Sequence, residues 1–163
     1  MPLSKEAKEY LVTATSSEQY GTEITTAIDN AGVYTATIEL SSAQLLALNV
    51  TSVNLLPAII GSTYKIEMAE FIYTFGSIPY TLSSPTPTFN IVYNNLGQTI
   101  AVREQATIIS ASANKDGIAP IAAFVGGNIK NLGMLLILGG GGTPQLTLGD
   151  GTLKIKLSYR IFT

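Results

Sequence analysis

Glu67 and Glu70 are the residues of this 163-residue chain whose types and spacing come nearest to a catalytic pair. Two carboxylates can divide the roles of general acid and nucleophile in glycoside hydrolysis. Residues 64–75 alternate as a β-strand does, however, and positions three apart on a regular strand point to opposite faces. The sequence therefore predicts that these carboxylates lie on opposite faces, turned to solvent or to a partner, and that they are not catalytic.

Lys154, Lys156 and Arg160 form a cationic stripe on another stretch with strand periodicity. Alternate positions of a strand share a face, so all three side chains point the same way. Two interpretations stay open. The stripe is a solvated face of an antiparallel sheet, or it contacts a carboxylate such as Glu67 or Glu39 on an adjacent strand or subunit.

The side chains that enzymes use most often are missing, because the chain has no His and no Cys. It therefore offers no thiolate nucleophile and no imidazole or thiolate metal ligand. The glycines at 139–142 lack the Lys-Ser/Thr of a phosphate-binding loop, and Asp116 and Asp150 each precede a glycine, which a turn explains. The sequence predicts a non-enzymatic protein with no catalytic, cofactor-binding or metal-ligating residues and no cofactor.

Tyrosine is the remaining candidate for a binding role, with 8 Tyr against 5 Phe. Its apolar ring and polar hydroxyl suit protein interfaces and carbohydrate contacts. Tyrosine is also common in β-sheets generally, so the excess fits either interpretation.

Charge is scarce throughout the chain. Charged residues make up 12% of the sequence and hydrophobic residues 46%, and the formal net charge is -2. No basic run marks a nucleic-acid partner, and the longest apolar run, residues 132–138, is too short to span a membrane. A surface this poor in charge either displays uncharged polar groups or hides apolar area in an assembly.

The hydrophobic pattern divides the chain into two regions. Residues 1–32 hold five of the 11 acidic residues and form either a partly ordered tail or an arm that orders on a neighbouring subunit. From Val33 the period is two, with a short helical turn at 41–48, and residues 33–163 are expected to form one β-domain. Further strands are expected at 52–56, 64–75, 80–83, 88–93, 106–110, 118–125, 132–138, 145–148 and 152–162.

Turn residues separate these short strands, which is typical of a sandwich or a barrel. The segment 152–162 has the clearest alternation, with Leu153, Ile155 and Leu157 on one face. Gly149-Asp150-Gly151 favours a type I′ hairpin turn leading into it.

Two stretches resemble small β-rich structural proteins of tailed bacteriophages. The first is IELSSAQLLALN at 38–49, followed by VNLLP at 53–57, and the second is GDGTLKIKLSYRI at 149–161. The resemblance covers about residues 33–163. It implies an all-β fold, a jelly-roll-like antiparallel β-sandwich with an N-terminal arm at 1–32.

The same resemblance implies a virion structural protein, with no active site carried over. In particular, it implies a capsid decoration (cement) protein on the capsid surface that stabilises the shell. Its partners would be the major capsid protein and itself as a homo-oligomer, commonly a trimer, with neither nucleic acid nor membrane involved. The alternative function is a tail, fibre or baseplate module that binds host surface glycans through Tyr-lined loops.

Overall fold

The computed structural model describes residues 32–94, 100–121, 129–140 and 143–163. The predicted arm, apart from its last residue, lies outside these ranges. Within them lie one α-helix, α1 (Ser42–Leu46), and one 3₁₀ helix (Ala106–Ser110). The strands of the same ranges are β1 (Tyr34–Leu40), β2 (Val53–Leu56), β3 (Thr63–Thr74), β4 (Thr81–Leu82), β5 (Thr88–Tyr93), β6 (Ile100–Gln105), β7 (Lys115–Ala119), β8 (Met134–Gly139), β9 (Leu146–Thr147) and β10 (Thr152–Phe162).

Eight of these strands form two four-stranded antiparallel sheets. The first sheet has the order β1-β10-β3-β7 and the second the order β2-β8-β5-β6, while β4 and β9 pair with each other. When these eight strands are taken in chain order, leaving out β4 and β9, every step except that from β5 to β6 crosses from one sheet to the other. Two antiparallel four-stranded sheets connected in this order are a jelly roll. The predicted all-β sandwich is therefore confirmed.

The core lies between the sheets and is built from the inward positions of each strand. On β10, Leu153, Ile155 and Leu157 are at most 1% exposed, as their alternation predicts. Phe71 of β3 and Phe89 of β5 are fully buried and stack across the core, with ring centroids 6.1 Å apart. This aromatic contact joins the centres of the two sheets.

The chain leaves the first sheet through α1, which confirms the predicted helical turn. Ser41 is the N-cap, and its hydroxyl accepts a hydrogen bond from the backbone N–H of Gln44 at 3.4 Å. The Gln44 side chain in turn accepts from the Ser41 backbone N–H at 3.0 Å, which completes a capping box. The helix buries Leu45 completely, so this single turn is anchored to the core.

Three local predictions are wrong. Residues 106–110 form a 3₁₀ turn instead of a strand, with Ala106, Ile108 and Ile109 buried. Asp116 lies within β7 and not in a turn. Gly149-Asp150-Gly151 does not make a hairpin, since β10 pairs with β1 and β3 while β9 pairs with β4.

Asp150 instead fastens the loop after β3 to the start of β10. Its Oδ1 accepts hydrogen bonds from the backbone N–H groups of Ser77 at 2.7 Å and Ile78 at 2.8 Å, and its Oδ2 accepts from the Ser77 hydroxyl at 2.6 Å. These bonds, the hydroxyl first, lower the pKa of the Asp150 carboxyl. A Cβ at position 76 would collide with this carboxylate, which explains Gly76.

We expect Asp150→Asn to lower the free energy of unfolding at neutral pH. A carboxyl whose pKa is lower in the folded state stabilises the fold above its unfolded pKa, and this stabilisation is lost as pH falls through the folded pKa. The difference in free energy of unfolding between wild type and variant should therefore be largest at pH 7 and should decrease below about pH 4. Urea unfolding at both pH values measures it. Asp116→Asn, at an exposed position on β7, is the matched control, and a gap independent of pH would contradict this account.

Candidate interaction surfaces

The outer side of the first sheet carries most of the charge in the described part of the chain. We call it the charged face, and it consists of Glu39, Lys65, Glu67, Glu70, Lys154, Lys156 and Arg160. Lys65 and Glu67 pair within β3, and the other ion pairs cross between neighbouring strands. Lys156 Nζ lies 3.2 Å from Glu70 Oε2, and Lys154 Nζ lies 4.0 Å from Glu39 Oε2. The interpretation that the cationic stripe contacts carboxylates of adjacent strands is confirmed.

Glu67 and Glu70 share this face, which overturns the expectation that they point to opposite sides. The register between β3 and β10 shifts at Ser158/Tyr159, leaving Glu67 as the extra residue of a β-bulge. The bulge resets the alternation, so Ile66 and Ala69 are both buried while the residues between them are exposed. Glu67 Oε1 then lies 3.1 Å from Lys65 Nζ and 3.2 Å from Arg160 Nε. Both carboxylates serve as partners of cations.

We expect the Lys156–Glu70 pair to couple weakly. Their side chains are 48% and 26% exposed, and exposed pairs contribute about 0.2–1 kcal/mol because water screens them. A double-mutant cycle with Lys156→Ala and Glu70→Ala should give a coupling energy in that range at low salt and less in 1 M NaCl. A coupling energy of several kcal/mol, or one unaffected by salt, would contradict the description of Lys156 and Glu70 as a solvent-exposed pair.

The outer side of the second sheet differs in kind. Across β2, β8 and β5 its outward positions include Asn54, Leu135, Ile137, Asn90 and Val92, none of them charged, and we call these positions the uncharged face. On the edge strand β6, Arg103 lies at the position paired with Asn90 and borders this face. Leu135 and Ile137 are half-buried, and neither packs against the core between the sheets. Asn90 is buried, accepts a hydrogen bond from the Thr88 hydroxyl at 3.0 Å, and lies where a Cβ on Gly139 would be.

A cluster of tyrosines marks the end of the sandwich where β1 begins. Tyr159 stacks on Tyr34 with ring centroids 5.8 Å apart and meets Tyr64 edge-on at 5.5 Å. Tyr64 donates a hydrogen bond to the Pro57 carbonyl at 2.6 Å, and Tyr93 donates to the Tyr64 carbonyl at 2.7 Å. Burial raises the pKa of Tyr64 and of Tyr93, so their hydroxyls stay protonated donors.

Four of the six tyrosines in the described ranges are buried. They are Tyr64, Tyr73, Tyr80 and Tyr93, none more than 5% exposed. Burial raises the pKa of Tyr80, with smaller contributions from Tyr73 and Asp150. Of the two interpretations of the tyrosine excess, that of tyrosine as a common residue of β-sheets fits Tyr64, Tyr73 and Tyr93, which lie in strands, while Tyr80 is buried just before β4.

Few features of the described residues suit small-molecule chemistry. A shallow open cleft of about 490 Å³ lies between α1 and β2, with Gln44, Thr51, Ser52 and Asn54 as its polar lining. No charged side chain lines it. The described residues include no group of three acidic side chains placed to hold a metal ion. No helix among them is long and apolar enough to span a membrane.

No protein family is matched by the sequence, and no curated protein matches it. The structure is similar to a chain of the cyanophage Pam1 capsid asymmetric unit, with a TM-score of 0.45 and 11% identity over 79% of this chain and 83% of that one. It is also similar to chains of infectious bursal disease virus, the Gx strain with a TM-score of 0.29 and 14% identity and the Gt strain with 0.23 and 11%. These two matches span 79% and 82% of this chain, but only 36% and 35% of the viral chains.

Sequence reasoning placed the charged face but missed the uncharged one. The signal was present, because residues 132–138 are apolar at both alternating positions, as a strand covered on both sides is. The bulge at Glu67 left no signal in the sequence of β3, because it is a shift in the pairing of β3 with β10.

Proposed function

We propose that this protein is a virion structural protein, a capsid decoration (cement) protein that binds the capsid surface and stabilises the shell. The observation that carries the proposal is the contrast between its two faces. The charged face pairs its ions with one another and suits contact with water. The uncharged face, with Leu135 and Ile137 at its centre, suits burial against another protein, whose interface core is poor in charge.

The jelly-roll strand order supports the same function, because this order recurs in viral capsid domains. It also recurs in lectins, so the fold alone does not distinguish shell binding from glycan binding. The positions of the tyrosines favour shell binding over glycan binding. Tyr-lined loops would require exposed rings, whereas four of the six described tyrosines are buried, three of them in strands, and Tyr34, 41% exposed, belongs to β1. The glycan-binding module is therefore the weaker candidate.

Capsid shells assembled without the protein provide the test. Purified protein should bind them saturably, at a fixed number of copies per shell, and should raise the temperature at which the shells disassemble. Calorimetry of shells with and without added protein measures the shift. Binding to host cells or to a glycan array, with no binding to shells, would refute the proposal and favour the tail module.

Self-association belongs to the same proposal, with residues 33–163 as the folded unit and a homotrimer as the expected state. Many copies on one lattice bind with avidity, and an oligomer multiplies the contacts of each unit. Sedimentation velocity at micromolar concentration should show the trimer. A stable monomer with no larger species would refute this part of the proposal while leaving shell binding open.

A further inference from the structure

Leu148 is an exposed hydrophobic residue with an unfavourable backbone conformation. It follows β9, is 66% exposed, and its φ of 56° lies in the left-handed region. Leucine in this region destabilises the fold relative to glycine or asparagine, because its Cβ crowds the following carbonyl oxygen. Neither burial nor backbone preference therefore accounts for leucine at this position. Strain of this kind points to a role outside the fold.

A second exposed apolar residue, Ile78, lies beside Leu148 on the neighbouring segment. β4 and β9 pair antiparallel with Thr81 opposite Thr147, and the same register places Ile78 opposite Asp150, two residues from Leu148. The backbone N–H of Asp150 donates a hydrogen bond to the Ile78 carbonyl at 3.2 Å, as this register requires. Ile78 is 50% exposed. We call Ile78 and Leu148 the apolar loop pair.

The apolar loop pair is held in place by the backbone on either side of it. The Asp150 carboxylate accepts a hydrogen bond from the N–H of Ile78 at 2.8 Å. The chain directly after Leu148 packs on the buried ring of Tyr80, which a Cβ at position 149 would strike. A partner therefore meets segments that are already ordered, which lowers the entropic cost of association.

We propose that Ile78 and Leu148 are the contact between copies of this chain and meet their counterparts at the three-fold axis of a homotrimer. The inference rests on the trimer of the proposed function. When three copies turn the same face to a shell, they touch one another only around the rim of that face. The apolar loop pair lies on this rim, at the end of the sandwich where β10 begins.

The charges of these two segments suit a contact between identical residues. Around a three-fold axis each residue faces its own copies, so a free charge there would be repelled by like charges. Asp150 is the only charged residue of 76–80 and 147–151, and its carboxylate accepts three hydrogen bonds from Ser77 and Ile78. Ile78, Pro79 and Leu148 are exposed and apolar, as the core of an interface is.

Single cysteines test the position of the axis, because the chain has no native Cys. Leu148→Cys places one thiol of each copy at the axis, where two of the three can join and the third stays unpaired. Ile60→Cys is the matched control. Ile60 is 94% exposed and lies at the opposite end of the sandwich, just before the β3 residues that pair with the end of β10.

Both full-length cysteine variants are oxidised under mild conditions at micromolar concentration and compared by non-reducing gel electrophoresis. We expect disulfide-linked dimers and no covalent trimers from Leu148→Cys, and little cross-linking from Ile60→Cys. Equal cross-linking of the two variants would indicate random collision and would overturn the inference. No cross-link in a Leu148→Cys protein that sediments as a trimer would overturn it while the trimer stands. A wild-type protein that sediments as a monomer would refute the trimer and this contact together.

Leu148→Asn separates a contact between copies from a structural role. Asparagine tolerates the left-handed region better than leucine, so the urea midpoint should be no lower than that of wild type at concentrations where both are monomeric. The concentration at which half of the chains are trimeric should rise about tenfold or more, as expected when an interface residue is removed. A lower midpoint with unchanged assembly would show that Leu148 serves the fold and would overturn the inference.

Discussion

Phe71→Ala should lower the free energy of unfolding by about 3–5 kcal/mol, the largest effect expected of a single substitution in the core. Phe71 is fully buried in β3 and stacks on Phe89 across the two sheets. Its removal leaves a cavity where the sheets meet, and the ring of Phe89 loses its aromatic partner. Because a domain of this size is stable by about 5–15 kcal/mol, the variant should be close to unfolding at 37 °C. Urea or thermal unfolding followed by circular dichroism measures the loss.

Phe162→Ala provides the control for Phe71, because the same side chain is removed from a position 42% exposed at the end of β10. We expect a loss of about 1 kcal/mol or less, since less area leaves the core and no closed cavity forms. Equal losses in the two variants would show that the contact between Phe71 and Phe89 does not join the sheets as described.

If the protein binds capsid shells as we propose, Ile137→Glu should weaken that binding by about 100-fold or more. Ile137 lies at the centre of the uncharged face, on β8 between β2 and β5. Burying an unpaired carboxylate at a protein interface costs several kcal/mol, and each 1.4 kcal/mol corresponds to a tenfold change in affinity. Titration of labelled protein onto purified shells measures the dissociation constant.

The matched control for Ile137→Glu is Thr35→Glu, which adds the same charge to an exposed position of β1 on the outer side of the first sheet. We expect its affinity for shells to remain within about threefold of wild type, because surface charges contribute little. Thermal unfolding of both variants verifies that each is folded. If Thr35→Glu abolished binding while Ile137→Glu did not, the shell would bind the charged face, and the assignment of the docking face would be wrong.

Local periodicity was enough to predict the elements whose pattern is set by burial alone. β5 and β10 have the predicted bounds, since Thr88–Tyr93 and Thr152–Phe162 are bordered by turn residues and filled with residues that favour sheets. α1 was predicted from Ser41 or Ser42 as its cap and from the leucines that follow, and the structure has Ser41 as the N-cap. Strand spacing also placed Lys154, Lys156 and Arg160 on one face, but it left their contact with carboxylates as one of two interpretations.

Features that depend on a distant partner could not be predicted from the sequence. β6 was missed because Arg103-Glu104-Gln105 interrupts its apolar pattern, although pairing with β5 holds these residues in a strand. The bulge at Glu67 arises from the register of β3 against β10. Asp150, expected in a hairpin turn, instead accepts hydrogen bonds from the backbone of Ser77 and Ile78 in a loop distant in sequence. In each case tertiary contacts outweighed local preference.

The position of β10 between β1 and β3 has a consequence for how the protein is made. Both neighbours leave the ribosome long before the strand that must lie between them, so the first sheet closes only after β10 has emerged. Folding that depends on contacts between distant parts of the chain is slow. Until β10 has formed, the edges of β1 and β3 that pair with it are exposed and can pair with strands of other nascent chains. Slower translation at low temperature, by reducing the number of such chains present at once, should raise the yield of soluble protein.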